Sequence, residues 1–206
     1  MRGNLDCLHF PLTGYPSCDI QEWERIFRIY KSYGLNHVRF HSWCPPEAAF
    51  TAADRIGIYI QAEVLWIDWW MSVVSKERPE MTTRGLPKGL GHNPSADKFV
   101  PEELQRMIEA YGNHPSFTML CIGNELGNSN FDIMQQWIKS LQEKDPRRLY
   151  AISTARKIMP ADQYMVTHNI PQTGGTYGIN GSGTDNDRES IYSLSLIHIS
   201  EPTRPY

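Results

Sequence analysis

The sequence alternates amphipathic helices with short apolar segments, and a glycine separates the two in the first two repeats. The first predicted helix carries apolar residues at i, i+3, i+4 and i+7 and ends at Gly34, after which residues 35–43 are predicted to form a strand. The second helix ends at Gly57, and residues 58–63 follow as the next strand. Repeated alternation of this kind is typical of α/β proteins in which helices cover a parallel sheet.

The same alternation continues along the chain. A strand is predicted within residues 2–11, its exit loop at 12–18, and a long segment at 64–100 interrupts the pattern. A helix, a strand, a helix and two strands follow at 101–111, 117–122, 131–143, 149–153 and 164–168. We therefore predict a partial (β/α)8 TIM barrel, with about the first five or six βα units. Because such a sheet has an unpaired edge, we also expect marginal stability or aggregation.

An amide and a carboxylate follow the most apolar predicted strand. The run at 117–122 stops abruptly at Gly123, and Asn124 and Glu125 come next. If the strand belongs to a parallel barrel, its carboxyl end opens onto the face that carries the chemistry of such enzymes, which favours Glu125 as a proton donor beside Asn124. The same pair is also typical of a helix start, where both residues cap the next helix. The spacing alone leaves both interpretations open.

The segment 114–127 resembles the acid/base signature of glycoside hydrolase family 2, which holds bacterial β-galactosidases and β-glucuronidases. It reads His-Pro-Ser, an apolar strand and Gly-Asn-Glu, and segments 36–39 and 54–63 extend the resemblance over most of 2–169. The resemblance implies a retaining hydrolase of O-glycosyl bonds, with Glu125 as acid/base and Asn124 hydrogen-bonded to a sugar hydroxyl. The family's nucleophile is a glutamate on the seventh strand, which we expect this chain not to reach, so we expect the chain alone to be inactive.

Three further candidates lie on the second and third predicted strands. Arg39 and His41 occupy positions i and i+2 and are predicted to point to the same side, and Glu63 ends the third strand. The family resemblance implies sugar-pocket positions for all three. His41 departs from the family pattern, because one residue separates it from Arg39 where the family usually has two. The alternative is a scaffold role, in which a buried Arg39 pairs with Glu63 because buried charges need partners.

Aromatic residues and a histidine complete the set of predicted substrate contacts. Trp66, Trp69 and Trp70 follow the third strand, and indole rings stack on the apolar faces of sugars. The alternative for these tryptophans is loop packing. We expect Trp66 and Trp69 to contact substrate, and His168 to line the pocket at the end of the sixth strand.

Two other classes of function are possible from the sequence. A metal-dependent barrel hydrolase would bring His41 together with His37 or His168, but the sequence has no His-x-His or His-Glu-x-x-His motif. We therefore expect neither a metal nor another cofactor. A non-catalytic sugar-binding barrel would keep the tryptophans and Arg39 without turnover.

Composition narrows the class of partner. The 206 residues carry a net charge of -3 without a basic cluster, which argues against nucleic acid binding, and they contain no apolar run of membrane-spanning length. The four cysteines form no Cys-x-x-Cys pair, which indicates neither a zinc ribbon nor a disulfide scaffold. A glycoside or oligosaccharide is the expected partner. Oligomeric state, and a cytoplasmic or an exported (periplasmic) location, stay open.

The chain divides into three predicted regions. Residues 1–170 form the barrel domain, and 171–193 are polar and are expected to be loop or disordered. Residues 194–206 resemble the translation of a sequencing adapter, and we expect them not to belong to the natural protein.

Overall fold

The computed structural model describes residues 1–64, 89–92, 94–124, 126, 129–153 and 158–164. Within these ranges, five strands alternate with helices. The elements are β1 (Gly3–Asp6), α1 (Ile20–Ser32), β2 (His37–Phe40), α2 (Glu47–Ile56), β3 (Tyr59–Glu63), α3 (Pro94–Asp97), α4 (Phe99–Tyr111), β4 (Phe117–Gly123), α5 (Phe131–Lys144) and β5 (Leu149–Ser153).

The five strands form one parallel sheet in the order β1-β2-β3-β4-β5. Each strand lies beside its neighbour in the chain, so every connection is a crossover and all carboxyl ends meet at one edge of the sheet. That edge contains Asp6, Phe40, Glu63, Gly123 and Ser153, the last residues of the five strands. The predicted α/β class and the parallel sheet are confirmed.

Alternation along β2 separates the helix-covered core from the opposite face of the sheet. Val38 and Phe40 belong to the main hydrophobic core, in which Trp23 and Phe27 of α1 are also buried. The predicted strand 35–43 is too long, because the strand ends at Phe40. Trp43 then packs its ring on that of Phe40, with 4.8 Å between the centroids, so Trp43 lies in the core and not on the side of Arg39.

Glycine ends α2 as the sequence predicts. Gly57 takes φ 77° at the C-cap, and its N–H donates to the carbonyl of Ala53. This left-handed conformation is costly for residues with a Cβ, which is why glycine is the usual choice there. The chain then enters β3 two residues later.

The turn before β4 is bound to α2 through Asp54. One carboxylate oxygen lies 2.6 Å from Nδ1 of His114, and the other accepts the N–H of Ser116 at 2.9 Å. Both segments belong to the family-like signatures in the sequence. Their contact ties the turn before β4 to α2.

The segment 158–164 covers part of the outer edge of β5 through one backbone and two side-chain hydrogen bonds. Tyr150 donates its N–H to Oε1 of Gln163 and accepts the Gln163 N–H, and Ile152 donates its N–H to Oδ1 of Asp162. These contacts take the place of strand pairing along part of this edge. The β5 edge is therefore partly covered within the described residues, and the expected marginal stability or aggregation stays a prediction. Of the predicted sixth strand, the described residues include only Tyr164.

Candidate active site

A buried ion pair joins β2 to β3. Nε of Arg39 donates to Oε1 of Glu63 at 2.6 Å, and both side chains are 0% exposed. Burial disfavours the guanidinium charge, but the Glu63 carboxylate outweighs that cost and raises the pKa of Arg39. The pairing that the scaffold alternative requires is therefore present.

Two neutral side chains complete the hydrogen bonding of the Glu63 carboxylate. Ser42 Oγ donates to Oε2 at 2.8 Å, and Gln61 Nε2 donates to Oε1 at 3.2 Å. Together with Arg39, these side chains give the Glu63 carboxylate three hydrogen-bond donors. The three bonds hold the carboxylate in a single orientation. Two residues separate Ser42 from Arg39. This is the spacing at which the family usually has its histidine.

The same arginine reaches the tip of β4. Nη2 of Arg39 donates to Oδ1 of Asn124 at 3.0 Å, and Asn124 is 3% exposed. Arg39, Glu63 and Asn124, which we call the Arg39 network, thus connect the ends of β2, β3 and β4. The network brings together three of the residues that the sequence singled out, on the face where the carboxyl ends of the strands meet.

The helix-capping alternative is wrong for Asn124. The N-cap of α5 is Asn130, whose Oδ1 accepts the N–H groups of Asp132 and Ile133. Asn124 instead lies at the end of β4 and binds Arg39. Glu125, the next residue, lies outside the described residues, so its assignment stays a prediction.

Ser153 holds the chain on the other side of Glu125. The N–H of Leu126 donates to Ser153 Oγ at 2.8 Å, and Ser153 pairs in register with Gly123. Sequence reasoning missed both Ser153 and Ser42. Both are serines at or just beyond the carboxyl end of a strand. Serine is so common at such positions that the pattern alone does not identify a site residue.

His41 lies beyond the end of β2. Its backbone N–H donates to the carbonyl of Asp6, and its Nδ1 is 3.7 Å from Sγ of Cys7. The i, i+2 argument that grouped His41 with Arg39 does not apply, because the strand ends at Phe40. His41 stands at the carboxyl edge of β1 and β2, and its sugar contact stays a prediction.

Three buried side chains beside the Arg39 network, Cys121, Tyr164 and His37, have pKa values that favour their neutral forms at pH 7. Burial raises the pKa of Cys121 and of Tyr164 well above their usual values. Burial, and then the nearby Arg39 charge, lower the pKa of His37 to about 3. These three side chains therefore add no charge that would compete with the pairing of Arg39 and Glu63.

Several predicted contacts fall outside the described residues, namely Trp66, Trp69, Trp70 and His168 in addition to Glu125. Among the residues that are described, no three His, Cys, Asp or Glu side chains are grouped as metal ligands would be. In that same part of the chain, no helix has the length and apolar character needed to cross a membrane.

Comparisons with known proteins agree with this architecture. The family model described as glycosyl hydrolases family 2, TIM barrel domain, matches residues 15–170. A β-galactosidase of Leuconostoc mesenteroides is 27% identical over 123 residues, which are 58% of this chain and 10% of that protein.

Solved structures show the same fold. A β-glucuronidase of Parabacteroides merdae has a TM-score of 0.55 at 21% identity, over 74% of this chain and 18% of its own. A glycosyl hydrolase family 2 member of Bacteroides cellulosilyticus has a TM-score of 0.56 at 21% identity, over 78% of this chain and 19% of its own. The match therefore spans 10% of the length of the β-galactosidase and less than a fifth of the length of each of these two solved proteins. The match over residues 15–170 covers most of the sequence, and the chain belongs to glycosyl hydrolases family 2 through its TIM barrel domain.

Proposed function

We propose that this domain forms part of a retaining glycoside hydrolase in which Glu125 is the acid/base. The observation that carries the proposal is the hydrogen bond from Arg39 to Asn124, which holds the residue before Glu125 at the carboxyl end of β4. That end of a parallel barrel strand is where catalytic side chains are found in this fold.

In this mechanism Glu125 acts twice. It first protonates the departing glycosidic oxygen while a second carboxylate attacks the sugar, and it then takes a proton from the water that releases the covalent intermediate. The second carboxylate must stand about 5 to 5.5 Å from the first. In this proposal Asn124 hydrogen-bonds the sugar hydroxyl beside the reacting carbon, and the support for it is that Arg39 binds the Asn124 amide oxygen at the end of β4.

Glu63 is a positioning residue in this proposal. Its carboxylate is fully buried and accepts hydrogen bonds from Arg39, Ser42 and Gln61, so its oxygens are committed to the protein. A nucleophile needs an oxygen that faces the sugar. The donors around Glu63 instead fix the guanidinium of Arg39, and through it Asn124.

The relatives' names suggest two substrate classes, β-galactosides and β-glucuronides. Both are pyranosides with an equatorial leaving group. They differ at C4, where the hydroxyl is axial in a galactoside and equatorial in a glucuronide, and at the exocyclic carbon, which is a hydroxymethyl group or a carboxylate. Nitrophenyl derivatives of the two sugars separate these classes directly. We propose that turnover is restricted to one or both of them.

The test of Glu125 compares leaving groups in a protein that carries this segment within a complete barrel. A dinitrophenolate departs without a proton, whereas an alkoxide requires one. In E125Q, kcat/KM for a methyl or phenyl glycoside should fall about 100- to 10,000-fold, and kcat/KM for the dinitrophenyl glycoside should fall far less. Equal losses on both substrates would remove Glu125 from the acid/base role. Sugar binding with no turnover in the parent protein would favour a non-catalytic binding barrel.

The 206-residue chain by itself is expected to give no turnover of any nitrophenyl glycoside. The residues assigned here supply an acid/base and no nucleophile, so they give no route to the covalent intermediate. Hydrolysis by the purified chain would contradict this assignment.

A further inference from the structure

Both chain neighbours of Glu125 are held by side chains from other strands. Asn124 accepts a hydrogen bond from Arg39 of β2, and the N–H of Leu126 donates to Ser153 at the end of β5. Asn124 and Leu126 are 3% and 0% exposed. Two contacts therefore anchor the chain where it leaves β4. Arg39 of β2 holds the side chain of Asn124, and Ser153 of β5 holds the backbone of Leu126.

The hydroxyl of Ser153 has a specific task at this point. Leu126 lies beyond the last residue of β4, Gly123, so its N–H is past the pairing between β4 and β5. A buried N–H without an acceptor costs on the order of 1–3 kcal/mol, and Ser153 Oγ supplies the acceptor at 2.8 Å. Removing the hydroxyl would favour any backbone arrangement in which this N–H reaches another acceptor.

We propose that Ser153 is a positioning residue for the acid/base, acting through the backbone of Leu126. The inference rests on the proposed function, since it assigns Ser153 a part in proton transfer by Glu125. Small displacements of a catalytic group cost large factors in rate, so the loss of this hydrogen bond should be visible in the step that needs the proton.

The chain offers a matched control in Ser116. It is 5% exposed against 8% for Ser153, and its hydroxyl also bonds the backbone, donating to the carbonyl of Phe50 at 3.3 Å. Ser116 precedes the amino end of β4, whereas Ser153 lies at the carboxyl edge of the sheet. S116A and S153A therefore remove similar groups from opposite ends of the barrel.

The experiment measures kcat/KM for a phenyl and a dinitrophenyl glycoside in a protein that carries this segment within a complete barrel. S153A should lose about 10- to 100-fold on the phenyl glycoside and much less on the dinitrophenyl glycoside. S153T, which keeps the hydroxyl, should retain most of the activity. S116A should leave kcat/KM unchanged for both glycosides, although it removes a comparable buried hydroxyl.

Amide hydrogen exchange in the 206-residue chain checks the structural premise independently of activity. Exchange of the Leu126 N–H should be faster in S153A than in the parent chain and unchanged in S116A. Equal exchange rates of Leu126 in S153A and the parent would overturn the proposal.

The remaining outcomes separate this inference from the proposed function. If E125Q shows the leaving-group dependence but S153A loses activity equally on both substrates, or resembles S116A, the positioning role is wrong and the proposed function stands. If E125Q has no selective effect, the proposed function fails and the role of Ser153 fails with it.

Discussion

Arg39 has the most demanding environment of the described site residues. Its guanidinium reaches Glu63, 24 positions away, and Asn124, 85 positions away, and only a planar group with several N–H donors serves both acceptors at once. A buried ion pair by itself contributes little to stability, because desolvation offsets the Coulomb attraction. The geometry therefore favours an ordering role for Arg39, in which the ion pair orients the donor that holds Asn124.

Substitution of Glu63 should destabilise the fold more than substitution of an exposed partner. E63Q keeps the shape of the side chain but leaves the buried Arg39 charge uncompensated, and we expect the free energy of unfolding to fall by about 3–5 kcal/mol. E22Q, which breaks the exposed pair of Glu22 with Arg25, should cost less than about 1 kcal/mol. Urea unfolding of both variants measures the difference, and equal losses would contradict the proposed importance of the buried pair.

Sequence reasoning identified Arg39, Glu63 and Asn124 and offered the pairing of Arg39 with Glu63 as an alternative, but it did not foresee the contact of Arg39 with Asn124. Period-2 alternation and the ends of apolar runs indicated their strands. The contact between Arg39 and Asn124 depends on strand order and on the reach of the guanidinium, which local patterns do not encode. Ser42 was missed for a similar reason, because the chain leaves the strand after Phe40 and the alternation no longer applies.

At the scale of elements, helix and strand order followed the sequence closely. β5 has the predicted bounds, Leu149–Ser153, and α2 ends at the predicted glycine. Strand ends were less accurate, because they depend on where the neighbouring strand stops. The cover over the β5 edge could not be predicted, since two of its three hydrogen bonds come from the side chains of Gln163 and Asp162, in a segment without strand periodicity.

Asp162 should make the stability of this edge depend on pH. Burial raises the pKa of Asp162 to about 6, even though its carboxylate accepts the N–H groups of Met159 and Ile152. Because the folded chain binds this proton more tightly than the unfolded chain, the contribution of Asp162 to the free energy of unfolding should rise as the pH falls from about 6 towards 4.

The comparison of D162N with the parent chain isolates this contribution. Other groups titrate in the same range. The pKa of His37 is lowered to about 3, so the contribution of His37 to the free energy of unfolding falls as the pH drops below the ordinary histidine pKa, opposite to that of Asp162. The difference in unfolding free energy between parent and D162N should therefore change between pH 4 and 6. A pH-independent difference between parent and D162N would refute the assignment.

At the scale of the whole molecule, the described sheet has the chain-ordered parallel topology of the family's TIM barrel. Its carboxyl edge gathers the Arg39 network and Ser153, so four neighbouring strands contribute to one site. The class of fold was predictable because helix and strand periods are local. The choice of sugar was not, because fold does not fix substrate and the predicted tryptophan contacts lie outside the described residues.

The most direct measurement is the pH dependence of kcat/KM for a phenyl glycoside, in a protein that carries this segment within a complete barrel, with and without E125Q. If Glu125 donates the proton, the parent should lose activity at alkaline pH as that group deprotonates, and the alkaline limb should be absent in E125Q. An alkaline limb that persists unchanged in E125Q would show that another group supplies the proton, and would contradict the central assignment.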